Sequence, residues 1–354
     1  MPTPSARHAN SRHAASSNLV YVSDAEPGIR RRGGAPRFRY VDAEGRPVRD
    51  RATLERIRAL AIPPAYTGVW ISAEPRGHLQ ATGRDARNRK QYRYHVDWRH
   101  VRGEGKFERI VAFGAALPRL RRRLRNDLKA PGFPREKVLA IVVSVLAETL
   151  VRVGNREYAR SNRSYGLTTL RNQHVGFLRG GRARLRFRGK SGQENEVVLD
   201  DARLARLLRR CQQLPGQALF QYIDDAGKVQ PVDSGQVNAY LGDAMGEAFT
   251  AKDFRTWGAT LAAFRQLARM PWSDDDTGGA PSMRALAKGE NAVIREVASL
   301  LGNTPAVCRS SYIDPAVLAG WRDGRLQRAA GGATGERQWE QAALRFLKSA
   351  RRRK

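Results

Sequence analysis

Acidic side chains and cysteine are both scarce in this 354-residue chain, and each scarcity removes a class of proteins. Asp and Glu number 34 against 64 Lys and Arg, leaving a formal net charge of +30. Only 10 of those cations are lysine, so 54 are arginine. The bias of a GC-rich genome would raise arginine but would not leave it uncompensated. A self-repelling excess of this size calls for a polyanionic partner, and nucleic acid is the default. The two cysteines, Cys211 and Cys308, are too few and too far apart for a disulfide framework or a Cys-based zinc site. They read as reduced intracellular thiols.

Long apolar runs are missing too. The longest, VLAIVVSVLAETLV at 138–151, has 14 residues and contains Glu148, so it reads as a buried helix and not a membrane span. The N-terminal MPTPSARHANSRHAASSNLV has no apolar core for secretion. No long basic amphipathic helix suggests a membrane surface. The expectation is a soluble, cytoplasmic, nucleoid-associated protein. Histidine occurs at positions 8, 13, 78, 95, 100 and 174 and nowhere later. Chemistry centred on the C-terminal half must therefore work without an imidazole base. Apolar content of 41% and aromatic content of 8% are those of a globular chain with a core.

The pattern predicts an α+β chain in two domains. Residues 1–17 and the closing KSARRRK at 348–354 read as basic tails. Residues 18–102 read as a small, mainly β domain. FRYVDAEGRPV forms a hairpin around Glu44-Gly45, and GVWISAEPRGHLQATGRD gives two strands around Pro75-Arg76-Gly77. Between them, DRATLERIRALAIPP is a short helix stopped by Pro63-Pro64. Residues 103–347 read as mainly helical, with apolar spacing near 3.6 and helices continuing through residue 321. One interruption is expected, a β-hairpin at 180–199, where Leu185 and Phe187 alternate with arginines before GKSG turns the chain.

Two motifs invite chemistry and do not sustain it. GKS at 189–191 lacks the earlier glycine of a phosphate loop, since position 184 is Arg, and no helix follows. Asp274, Asp275 and Asp276 are adjacent in a polar loop, whereas metal-binding carboxylates converge from separate elements. No metal or other cofactor is expected.

Four segments each set a distinctive polar residue at the edge of an apolar element. Arg152 follows the apolar helix in VRVGNREY, and Lys190 sits on the hairpin turn in RFRGKSG. Arg255 lies in TAKDFRTWGATLAAF, where Thr250 and Asp253 can form a capping pair, placing it early in a helix near amides that favour anions. LLGNTPAVCRSSY delivers Asn303 and Tyr312. Singly, Arg152 reads as a helix-end charge and Tyr312 as a core residue with a wet hydroxyl.

Together these segments resemble the type IB DNA topoisomerases in their small poxviral and bacterial form. That family carries an Arg, a hairpin Lys, an Arg in K-D-x-R-T-x-G, then G-H-T-P with a Tyr nine residues after its His. The corresponding text here is RVGN, FRGK, KDFRTWG and GNTP, with Tyr312 nine residues after Asn303. IPPAYTGVWI through ATGRDARNRKQYRYH resembles the family's DNA-clamping domain, so the likeness runs over about residues 20–345. One position departs, Asn303 standing for the family's His. An Asn amide can donate the same hydrogen bond to a phosphate oxygen, which favours a neutral donor there over a base.

The resemblance implies relaxation of supercoiled duplex DNA by a monomer, without ATP or obligatory metal. Tyr312 would be the nucleophile forming a 3′-phosphotyrosyl link, with Arg152 and Arg255 the clamp on the non-bridging oxygens. Lys190 would be the general acid, assisted by Lys252. DNA contacts fall to Arg84, Arg87, Arg89, Lys90, Tyr92 and Tyr94, and to Asn155 and Tyr158 on the helix after Arg152. Two alternatives stay open. A tyrosine recombinase shares the nucleophile and clamp, but its second Arg box normally carries a His that KDFRTWG lacks. A non-catalytic DNA-binding protein explains the charge but not the ordered Arg, Lys, Arg, Asn, Tyr series.

Overall fold

The computed structural model describes residues 19–86, 88–224, 226–272 and 281–352, without the side chains of residues 99–104. The expected tail at 1–17, Arg87, the loop holding Asp274–Asp276 and the last two residues of the C-terminal tail lie outside these described residues. The chain divides into two compact units at Phe107/Glu108.

In the first unit, strands β1 (Ile29–Arg32) and β2 (Arg39–Val41), helix α1 (Arg51–Ala59), and strands β3 (Thr67–Ile71), β4 (Leu79–Arg84) and β5 (Lys90–Tyr94) follow in chain order. The strands form one antiparallel sheet, ordered β2-β1-β3-β4-β5. The turn at Glu44-Gly45 is fastened by Asp42, whose carboxylate accepts from the Glu44 and Arg46 amides. Helix α1 starts at Asp50, which accepts from the Thr53 amide at 2.8 Å, and buries Ile57. Ile57 joins Ile29, Val69, Ile71 and Ala81 in a small core. Helix α2 (Val96–Asp127) starts earlier than the expected domain edge at 102.

The second unit adds α3 (Arg135–Thr149), α4 (Arg156–Asn162), β6 (Val175–Leu178), β7 (Arg182–Arg188), β8 (Glu194–Leu199), α5 (Ala202–Gln212), β9 (Gln221–Ile223), β10 (Val229–Pro231), α6 (Ser234–Met245) and α7 (Ala251–Arg269). It ends with α8 (Met283–Leu301), α9 (Pro305–Ser311), α10 (Pro315–Arg322), α11 (Arg325–Ala330) and α12 (Glu336–Arg352). Helix α3 is the apolar run, and Val138 through Val143 are all buried. A helix apolar on every face belongs at the centre of a core. Strand β7 buries Ala183, Leu185 and Phe187 and exposes the arginines between them, the alternation its text predicts.

The expected hairpin is in fact a three-stranded sheet, β6-β7-β8, and a second pair, β9-β10, also interrupts the helices. Strands of three or four residues are too short to show a period of two. Helices also run past residue 321. Helix α12 buries Trp339, Ala342, Ala343, Phe346 and Leu347 at helical spacing, and it extends through Arg352. The expected basic tail at 348–354 is, over its described part, the last turn of that helix. Among the described residues, no helix is long and apolar enough to cross a membrane.

Candidate active site

The site is assembled where the ends of α3, α7, α8 and α9 meet the turn after β7. Helix α7 starts as its sequence predicts, with the Asp253 carboxylate accepting from the Thr250 amide at 2.7 Å and hydroxyl at 3.0 Å. One turn on, Gly258 lies against Leu150, where an added Cβ would come within 2.4 Å of the leucine side chain. Only glycine lets α7 approach the end of α3 this closely. That approach carries Arg255, 5% exposed, onto two helix ends. Its guanidinium donates to the carbonyl of Leu150, the left-handed cap of α3, and to that of Leu301, the last residue of α8, at 2.8 Å. Helix C-termini leave carbonyls without partners and carry partial negative charge, so they hold a buried cation without a carboxylate. Arg255 is thus early in its helix as expected, but carbonyls surround it where the sequence suggested amides.

Arg152 lies two residues past the α3 cap. Its main chain is fixed where the Leu167 amide donates to its carbonyl at 2.9 Å and the Thr168 amide donates to Val153 at 2.8 Å. The side chain donates to Asn303 Oδ1 at 2.5 Å.

Each letter of GNTP has a local task. Gly302 closes α8 at φ 57°, a conformation that costs a residue with a side chain. The Asn303 amide donates to Ala298 at 2.9 Å, Thr304 caps α9, and Pro305 occupies its first turn. Because Arg152 can only donate, the oxygen of the Asn303 side chain must face it. The opposite atom, Asn303 Nδ2, is buried and has no hydrogen-bond partner. A buried donor left unpaired is costly, and one on a side chain bonded to Arg152 suits an anionic oxygen.

Tyr312 ends α9, its amide donating to Cys308 at 3.0 Å. The Arg255 guanidinium lies 5.3 Å from the centre of its ring. Burial pushes the phenol up, but the charge of Arg255 and its hydrogen bond, with Arg152 and Lys252 beyond, outweigh it and hold the group below the ordinary tyrosine range. Burial and the neighbouring Arg152 in turn push Arg255 down. Lys190 is exposed on the turn after β7, where Ser191 adopts φ 62°. It lines a small pocket shared with Arg152, Arg255, Asn195 and Leu301. All six predicted catalytic residues therefore lie in one unit: Arg152, Lys190 and Arg255 line this pocket, Asn303 is bonded to Arg152, and Lys252 lies within electrostatic reach of Tyr312.

The sequence reading missed three participants, Asn195, Thr260 and Arg351. Asn195 reaches the pocket from β8. The Thr260 hydroxyl donates to the Tyr312 carbonyl, and Arg351 reaches Asp314 just beyond the tyrosine. Cys308 is buried one turn before Tyr312. Thr260 alone had a visible signal, one turn past Arg255 on the same helix.

The expected DNA contacts divide by environment. Arg84 donates to the Asn88 carbonyl at 3.0 Å, Arg89 pairs with Asp85 at 2.7 Å, and Lys90 pairs with Asp24 at 2.5 Å. Arg89 and Lys90 are therefore partly neutralised, a cost the charge run concealed. Tyr92 is 48% exposed and stacks on Tyr94, with ring centres 6.1 Å apart. Asn155 is spent in part on capping α4, its oxygen accepting from the Glu157 and Tyr158 amides, while Tyr158 is 54% exposed. Among the described residues, no three His, Cys, Asp or Glu side chains are grouped to hold a metal.

Known proteins are similar to this chain. Residues 95–319 match the family model of the eukaryotic DNA topoisomerase I catalytic core, and residues 37–85 that of the bacterial DNA topoisomerase IB N-terminal domain. DNA topoisomerase 1B of Acanthamoeba polyphaga mimivirus is 32% identical over 292 residues, covering 81% of this chain and 85% of the viral one. DNA topoisomerase I of monkeypox virus and DNA topoisomerase 1B of vaccinia virus (strain Copenhagen) are each 22% identical over 282 residues, covering 76% of this chain and 82% of theirs.

Proposed function

The chain belongs to the type IB DNA topoisomerases, isomerases that act on DNA, and from that premise we propose how its own residues divide the work. Tyr312 is the nucleophile. Its oxygen attacks a backbone phosphorus, the bond to the 5′ oxygen breaks, and the 3′ phosphate is left esterified to the phenol. Arg152 and Arg255 face the two non-bridging oxygens, and the free Asn303 amide nitrogen gives a third donor. Electrostatic stabilisation of this kind carries most phosphoryl transfer. Lys190 protonates the leaving 5′ oxygen, and Lys252 assists it while helping to hold the phenol low. The freed strand rotates, and its 5′ hydroxyl attacks the phosphotyrosyl ester in reverse. One phosphodiester is exchanged for another, so bond energy is conserved and ATP is not consumed.

The observation that supports these roles is the pairing of a phenol held below its ordinary range by Arg255 and Arg152 with an unpaired buried amide donor on the side chain that receives Arg152. In the first unit, Arg84 and the exposed face of Tyr92 meet phosphates and sugars, with Arg89 and Lys90 contributing once DNA displaces their aspartates. Asn155 and Tyr158 face the duplex from α4. The protein acts as a monomer clamping DNA, and the N-terminal match supports a bacterial source, where the substrate is the nucleoid.

Purified protein should relax supercoiled plasmid in chelator without ATP and yield a denaturant-trapped DNA adduct that peptide mapping assigns to Tyr312. Tyr312→Phe should abolish adduct and relaxation together. Relaxation by that variant at the wild-type rate would overturn the assignment.

A further inference from the structure

Tyr312 stands at a break between α9 and α10, and side chains from three other helices hold that break. From α7, the buried Thr260 hydroxyl donates to the Tyr312 carbonyl and accepts from the Asp314 amide, both at 3.1 Å. From α8, the Glu290 carboxylate takes Arg309 of α9 and, at 2.8 Å, Arg322 of α10, so one buried acid ties together the helices on either side of the nucleophile. From α12, Arg351 donates to Asp314 Oδ2, while Oδ1 of the same carboxylate accepts from the Ala316 amide at 2.9 Å and starts α10. The side chains of Glu290 and Asp314 are each 1% exposed.

The Arg351 contact differs from the others in its origin. Asp314 is two residues beyond Tyr312, but Arg351 lies in the last turn of the last helix, beyond residue 319 where the catalytic-core match ends. A buried carboxylate deprived of its cation must take up a proton or admit water, and either loosens the turn it caps. In-line attack tolerates little misplacement, since a shift of about 1 Å can cost on the order of a hundredfold in rate.

We propose that Arg351 is a positioning residue for strand cleavage, acting through Asp314 to hold the turn that aims the Tyr312 phenol at the phosphate. The C-terminal helix is then part of the cleavage apparatus and not only of the core. This inference rests on Tyr312 being the nucleophile. An ion pair that merely stabilised the fold would lower the melting temperature and leave cleavage by folded protein unchanged.

The test measures adduct formation on supercoiled plasmid under enzyme excess with denaturant quench. Duplex affinity is measured separately in a Tyr312→Phe background, and melting temperature for every variant. Arg351→Ala should slow cleavage about ten- to a hundredfold, while affinity in the Phe background stays within about twofold. Arg351→Lys should recover much of the loss. A chain ending at Lys348, which keeps the buried Leu347, should behave like Arg351→Ala. The double change Asp314→Asn with Arg351→Met removes both charges of this pair, so it should fold and still cleave slowly. Wild-type cleavage by the folded double variant or the shortened chain would sink the proposal. So would a loss that weaker binding explains in full. A wild-type adduct on some other residue would instead refute the nucleophile assignment.

Discussion

The arginines on the two sides of Tyr312 are held in opposite ways. Toward the pocket, Arg255 ends on the carbonyls of Leu150 and Leu301, and Arg152 on the side-chain oxygen of Asn303. Away from it, Arg309, Arg322 and Arg351 end on the carboxylates of Glu290 and Asp314. A carbonyl fixes a guanidinium without cancelling its charge, whereas a carboxylate does both. The pocket side therefore keeps its full positive field for a phosphate, and the far side spends its charge on rigidity. With 64 basic residues, number alone identifies no functional arginine, but the kind of partner separates the two groups.

The sharpest way to break this contrast is at Arg255. Arg255→Ala removes a charge proposed to face the phosphate and should lower cleavage on the order of 10³–10⁵-fold, the scale of a transition-state arginine. Arg255→Lys should recover little, because a single ammonium cannot span the Leu150 and Leu301 carbonyls and still face the substrate. Single-turnover adduct formation measures both. If Arg255→Lys cleaves near the wild-type rate, the bidentate seating on helix ends is irrelevant to catalysis.

A smaller effect is expected at Asn303, where the contrast is between donor and acceptor on one side chain. Asn303→Ala should cost about a hundredfold in cleavage, the scale of one lost donor to a developing anion. Asn303→Asp keeps the oxygen that receives Arg152 but loses the free donor and cancels the charge, so it should be at least as slow. Asn303→His restores a donor and should stay within about tenfold of wild type. A fast Asn303→Asp enzyme would show that the residue only seats Arg152.

Much of this was legible in the sequence because each motif is also a local folding instruction. Thr250 and Asp253 start α7, Gly302 stops α8, and Thr304-Pro305 starts α9, so the spacing of catalytic residues is written in caps. The alternation around Leu185 placed Lys190 on its turn. Less readable were the contacts made by residues distant in sequence. Nothing near Arg351 announces Asp314, and nothing near Leu150 announces a bond from Arg255 across 105 residues. The charge run at 84–90 misled in the other direction, since Asp24 and Asp85 reach Lys90 and Arg89 from outside it or from within its own turn.

The smallest effect concerns Cys308, and it tests whether proximity to Arg255 alone activates an acid. Arg255 draws both Cys308 and Tyr312 toward their ionised forms, yet the two groups shift in opposite directions. At Cys308, burial outweighs the single arginine and pushes the thiol up to about 11. At Tyr312, burial also raises the group, but Arg255 adds a hydrogen bond to its charge, and Arg152 and Lys252 join it to reverse the balance. The thiolate is the reactive form of cysteine, so at pH 8 the folded protein should resist alkylation at Cys308. With Tyr312 as the proposed nucleophile, cleavage requires the phenol to lose its proton, so its rate should climb with pH through a midpoint below the ~10 of free tyrosine. Alkylation by mass spectrometry and a pH series of adduct formation read the two outcomes on the same protein. Rapid modification of Cys308 at pH 8, or a cleavage midpoint at or above the free-tyrosine value, would mean that the field of one buried arginine counts for more, or its hydrogen bond and the two further cations for less, than this site requires.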